Sequence, residues 1–213
     1  MPFDIGTLDT LDAIGAGDSV IAIPEIQLPD YLSDYDSLPR VGTLFEPDYE
    51  AVAELSPDLI VTAGRSTGAY NDLAEIATTI DLRPMVDGVM SPAAAFERAA
   101  QLGEVFGLED EVQDLVVPME ERITSIRELS AEAGSMLMLL VSGCEYGALG
   151  KGSTFGYLYD ELGFEPAVPA DELPGAVGSP HGEVVSNEFI LDVDPSWIFV
   201  FDRGMAIGRT EGG

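Results

Sequence analysis

At 213 residues, 46% of them hydrophobic, the chain can bury one sizeable core or two small ones, which excludes wholesale disorder. Nine Lys and Arg against 39 Asp and Glu give a formal charge of −30; such a surface repels nucleic-acid phosphate and anionic lipid, and its simplest reading is a heavily hydrated exterior suited to high salt. The single Cys144 permits no internal disulfide or cysteine metal cluster, and no apolar run approaches the roughly 18–20 residues that cross a bilayer.

The N-terminal "MPFDIGTLDT" lacks the basic and apolar regions of a signal peptide. A short helix then carries Leu8, Leu11 and Ile14, with Gly15 at its C′ position, and "SVIAIP" reads as a strand stopped by Pro24. "LPDYLSDYDSLPRVG" is a polar loop with a helical turn. A helix over Pro47–Leu55, a break at Pro57 and a strand over Leu59–Ala63 follow, and "NDLAEIATTIDLRPMV" supplies the next helix and strand. This alternation predicts a parallel sheet in an α/β lobe over residues 1–90. Residues 91–134 read as a helical connector opened by Ser91 and Pro92 and interrupted, kinked or restarted at Pro118. From "SMLMLLVSG" the α/β pattern resumes in a second lobe over 135–213.

The two lobes share an internal layout. "ELSPDLIVTAGR" (Glu54–Arg65) matches "DVDPSWIFVFDR" (Asp192–Arg203), with Pro57 and Pro195 each eight residues before an arginine and Glu50 and Glu188 each seven residues before the proline. All pairs keep one offset of 138 residues. Arg65 and Arg203 thus stand at the C-terminal ends of buried strands, where α/β proteins bind ligands. A guanidinium does not discharge at physiological pH, and its planar fork suits oxyanions. The competing reading pairs each arginine with a nearby acid such as Asp202.

His181, the only histidine, lies in a Pro/Gly-rich loop, "GSPHGEVVSNEF", and is either an ordinary loop residue or a ligand for a metal or an anion. Metal-binding spacings, a P-loop and a nucleophile elbow are all missing: in "GALGKGST" a glycine follows Lys151, and Glu145 stands where the first P-loop glycine belongs.

The blocks "LDTLDAIGAGDSVIAIP", "VGTLFEPDYEAVAELSPDLIVTAGRS", "STFGYLYDELGFEPA", "HGEVVSNEFI" and "PSWIFVFDRG" resemble the substrate-binding proteins of ABC importers for ferric siderophores, relatives of the cobalamin and haem binders. The resemblance implies two Rossmann-like α/β lobes joined by a long helix, and an iron(III)–siderophore held between them, with no intrinsic cofactor. It places Arg65 and Arg203 among the arginines that face an anionic catecholate complex, and puts Thr154 where a third arginine is expected. It makes His181 a possible iron ligand, Asp72 a carboxylate that docks on the permease, and the protein an exported monomer delivering cargo to an ABC permease. It also implies a further helix, strand and helix after Gly213 and an export signal before Met1, so that an edge and an apolar face of the second lobe are left uncovered. A version extended at the C-terminus is then expected to melt at a higher temperature. Cobalamin or haem binding on the same scaffold, and an enzyme acting on a phosphorylated metabolite, are the alternatives.

Overall fold

The computed structural model describes residues 1–173, 175 and 179–206, so the expected end of the second lobe, 207–213, lies outside the described residues. Contacts divide the chain into two compact units: Met1–Pro84 with Ala95–Val117, and Met85–Ala94 with Pro118–Gly213.

In the first unit, helix α1 (Ile5–Ala13) begins where the Asp4 carboxylate accepts from Thr7 N–H at 2.9 Å, and ends at Ile14 with Gly15 following. Its buried Leu8 and Leu11 pack with Ile14, Val20, Ile23 and Leu32. The expected strand "SVIAIP" is reduced to one parallel bridge, Ile23 to Arg40. Helix α2 (Tyr49–Leu55) is capped by Asp48, whose side chain accepts from Ala51 N–H, and is stopped by Ser56 in the left-handed region at φ 49°. Strand β1 (Ile60–Thr62) is buried throughout; helix α3 (Tyr70–Ala74) leads to β2 (Thr79–Asp81), which pairs in parallel with β1, while Pro2 bridges Val61 in parallel. Phe3, Ala22, Val41, Val52 and Ile60, all at 0% exposure, form the second core of this unit.

Strands β3 (Met85–Val86) and β4 (Val89–Met90) form a hairpin. Helix α4 (Pro92–Phe106) is capped by Ser91, and α5 (Glu109–Ser130) carries Pro118 inside it. Val117 and Pro118 are also the residues at which the contact division passes through α5. The ring removes one backbone donor from the ladder, so Pro118→Ala restores a hydrogen bond to Asp114 and relieves a clash. We expect a gain of about 1–3 kcal/mol, discounted for the freer unfolded chain, read by urea denaturation.

The second unit is built on β5 (Ser135–Ser142), whose apolar run is explained by its two faces. Met136, Met138 and Leu140 enter one core with Leu149 and Leu158, while Leu137 and Leu139 enter another with Ala148 and Val168. A two-residue turn returns the chain as antiparallel β6 (Glu145–Leu149). Helix α6 (Tyr157–Asp160), β7 (Glu165–Pro166), β8 (Glu183–Val185), α7 (Asn187–Val193), β9 (Trp197–Asp202) and α8 (Arg203–Ala206) follow. The sheet runs β7-β5-β6-β8 with β9 beside β5, so it is mixed: β9 and β7 are parallel to β5, and β6 alone runs against the others, pairing antiparallel with both β5 and β8. Trp197, Ile198, Phe199 and Val200 of β9 are exposed at 53%, 47%, 37% and 61%, so among the described residues this strand is an apolar border of the sheet.

One buried phenol ties this unit together. Tyr159 Oη accepts from Met138 N–H at 3.0 Å and donates to Leu149 O at 2.9 Å. Burial pushes its pKa from 10.0 up to about 12, against a smaller opposing pull from Met138 N–H. Tyr159→Phe strands both backbone groups, and we expect a loss of about 1–3 kcal/mol. The unfolded chain deprotonates first, so this contribution is whole below pH 10 and fades as the pH rises from 10 to 12. Urea melts should therefore show the wild type losing more stability than Tyr159→Phe over that window.

Candidate functional site

The sequence repeat is also a structural one. Helices α2 (Tyr49–Leu55) and α7 (Asn187–Val193) have identical bounds once the offset of 138 residues is applied. The N-caps Asp48 and Ser186 each accept from the third helical N–H, and the C-caps Ser56 and Asp194 both take left-handed backbone, at φ 49° and 45°. Each helix then feeds a strand, β1 or β9, that ends just before the arginine.

Arg65 lies in a 3-10 turn, Gly64–Ala69, directly after β1. Ser66 closes the turn: its hydroxyl accepts from Ala63 N–H and donates to Ala63 O, both at 3.0 Å, at 0% exposure. Beside it, Thr67 Oγ1 is buried without a hydrogen-bond partner. The Arg65 side chain is exposed and has no hydrogen-bond or ion-pair partner among the described residues. Arg40 and Arg83, by contrast, pair with Asp36 and Asp81 at 2.8 and 2.9 Å. Pairing with a neighbouring acid therefore does not account for Arg65. Asp72, in the first turn of α3, is exposed and accepts from Tyr49 Oη at 3.3 Å.

In the second unit Arg203 is half-buried and donates from Nη1 to Ser142 Oγ at 3.4 Å, from the end of β9 to the end of β5. Thr154 and His181 are brought together through one serine. Thr154 N–H donates to Ser179 O at 3.4 Å, and Ser179 Oγ accepts from the N–H groups of His181 and Gly182 at 3.1 and 3.2 Å. The Gly182 backbone runs against β6 so closely that a Cβ there would collide with Ala148 O. His181 thus has a fixed backbone and an exposed imidazole. Thr154 O also accepts from Met90 N–H at 2.8 Å, linking this loop to β4. Ser142 and Tyr49, the partners of Arg203 and Asp72, were not foreseen: each lies far away in sequence and carries no motif of its own.

Among the described residues no group of three or more His, Cys, Asp or Glu could hold a metal ion, and no helix is long and apolar enough to cross a membrane. The first unit has an open hollow of about 440 Å³, but Asp12, Asp18 and Asp34 line it and Tyr35 Oη donates to Asp12 at 2.7 Å. Its charge repels an anion.

The profile of a family described as periplasmic binding protein matches residues 4–212. The petrobactin-binding protein YclQ of Bacillus subtilis is 36% identical over 211 residues, which are 98% of this chain and 64% of that protein. The crystal structure of YclQ superposes with a TM-score of 0.87 over 99% of this chain and 73% of that one, at 35% identity. The periplasmic catecholate-siderophore binding protein VctP of Vibrio cholerae gives a TM-score of 0.89 at 29% identity, covering all of this chain and 75% of that one. The chain therefore spans just under two thirds of the length of this curated relative.

Proposed function

Since the chain belongs to the periplasmic binding protein family, we propose that it is the substrate-binding component of an ABC importer, taking an anionic iron(III)–siderophore complex outside the cytoplasmic membrane and handing it to a permease. It is a carrier and not an enzyme, and it works as a monomer. Arg65 and Arg203, one from each unit, are its cationic contacts.

The observation that carries this reading is Arg65: a guanidinium without an acidic partner, at the C-terminal end of a parallel strand, in a chain with 39 Asp and Glu. A protein of charge −30 repels an anionic ligand at long range, so a local cationic contact is required to hold one. Desolvated guanidinium groups gain from charge-assisted, often bidentate, hydrogen bonds to such a ligand. Thr154 offers a neutral hydroxyl, and His181 offers an imidazole to iron when the siderophore leaves coordination sites open. Asp72, exposed on α3, presents a carboxylate to cationic residues of the permease. What the similar proteins are named for binding supports a siderophore over cobalamin or haem.

Titration of the protein with a ferric catecholate, a ferric hydroxamate and cobalamin, followed by Trp197 and tyrosine fluorescence, tests the reading. Trp197 is a suitable reporter because it lies six residues before Arg203 and its indole N–H is fixed to Ala133 O at 2.8 Å. The anionic catecholate should bind tightest. Saturable binding of cobalamin alone, or of none of the three, would remove the siderophore assignment. His181→Ala should weaken only complexes whose siderophore leaves iron sites unfilled.

A further inference from the structure

The head of Arg203 is held by a group that carries no charge. Its Nη1 donates to Ser142 Oγ at 3.4 Å. The sheet sets up this meeting: Val141 stands opposite Asp202 in the parallel pairing of β5 with β9, so the next residues, Ser142 and Arg203, follow at the same level. The backbone beneath is fixed, because Phe201 pairs with Leu140 and its ring centroid lies 5.2 Å from that of Phe155. On its other side Ser142 pairs with Glu145 across the β5–β6 hairpin, so the accepting hydroxyl rides on a residue of the paired sheet.

In a chain with 39 acids a carboxylate is the readier partner for a guanidinium, and Asp36 and Asp81 hold Arg40 and Arg83 in this way at 2.8 and 2.9 Å. A carboxylate orients the guanidinium and cancels its charge in the same contact. A hydroxyl orients it and adds no charge of its own. Ordering a long side chain before the ligand arrives also lowers the entropy lost on binding. For an anionic ligand the two effects add: the fork is already aimed, and its attraction is not reduced by the group that aims it.

Resting on the function proposed above, we propose that Ser142 is a positioning residue, which holds the Arg203 guanidinium ready for an anionic ligand without neutralising it. Isothermal titration with two probes tests this: the tri-anionic iron(III) complex of a synthetic tripodal tris-catechol, and the neutral iron(III) complex of a tripodal tris-hydroxamate. Ser142→Ala should weaken the tris-catecholate about three- to tenfold and change the tris-hydroxamate by less than about twofold. Ser142→Thr, which keeps the hydroxyl on a residue suited to a strand, should restore the affinity. Ser142→Asp should be as harmful as Arg203→Ala, about 10- to 100-fold, because the acid grips the guanidinium more firmly and cancels it. In an Arg203→Ala background, Ser142→Ala should weaken binding no further, since a residue that acts through Arg203 is silent once that side chain is gone. Equal losses with both probes, a loss that persists in the Arg203→Ala background, or wild-type affinity in Ser142→Asp would each overturn the role given to Ser142. Wild-type affinity in Ser142→Ala beside weak binding in Arg203→Ala would also overturn it and leave the functional reading standing. Failure of the wild-type protein to bind either complex would sink that reading, and the role of Ser142 with it.

Discussion

Arg65→Ala and Arg203→Ala should each weaken a tri-anionic ferric catecholate by about 10- to 100-fold, while a neutral ferric hydroxamate loses no more than about twofold. The asymmetry follows from charge. Removing a guanidinium takes away charge-assisted hydrogen bonds and leaves the −30 surface unopposed near the ligand, whereas a neutral complex senses only the lost contact area. Lysine at either position should recover part of the affinity, because it restores the charge without the bidentate fork. Arg65 is exposed, so its loss should leave stability within about 0.5 kcal/mol. Arg203 is half-buried and bonded to Ser142, so Arg203→Ala should also show a modest drop in melting temperature. Identical effects on charged and neutral complexes would take both residues out of the site.

The second large effect is on folding. Nine basic residues cannot neutralise 39 acids, and only two ion pairs, Arg40–Asp36 and Arg83–Asp81, form among the described residues. The remaining carboxylates repel one another across a Debye length of about 10 Å at 0.1 M salt, which shrinks to about 3 Å at 1 M. We expect the melting temperature to rise by about 10–20 °C between 0.1 M and 2 M KCl, equivalent to roughly 5 kcal/mol of relieved repulsion. Sucrose at equal osmolality should give a much smaller rise, because it screens nothing. A flat dependence on salt would show that the acids are accommodated in some other way.

Local signals in the sequence account for much of the fold. Asp48 and Ser186 as N-caps, Pro57 and Pro195 after the helices, and the apolar runs behind them are enough to anticipate α2, α7, β1 and β9, together with their common offset. What escaped depends on distant partners. An apolar strand such as β5 reads as buried, but nothing in "SMLMLLVSG" says that β6 returns antiparallel beside it. Pro118 reads as a place where a helix begins, kinks or is interrupted, and only the structure shows that α5 carries it inside. Among the candidate site residues, the placing of Arg65 and Arg203 after strands was legible, because strand and arginine are contiguous. The Ser142 contact to Arg203, 61 residues away, was not.

Crystals of the protein soaked with ferric tris-catecholate, with the iron located by its anomalous scattering, decide whether the two arginines hold one ligand. One iron position is expected, with the guanidinium groups of Arg65 and Arg203 both in hydrogen-bond contact with the oxygens around it. Iron bound elsewhere, or either guanidinium pointing away from the complex into solvent, would contradict it.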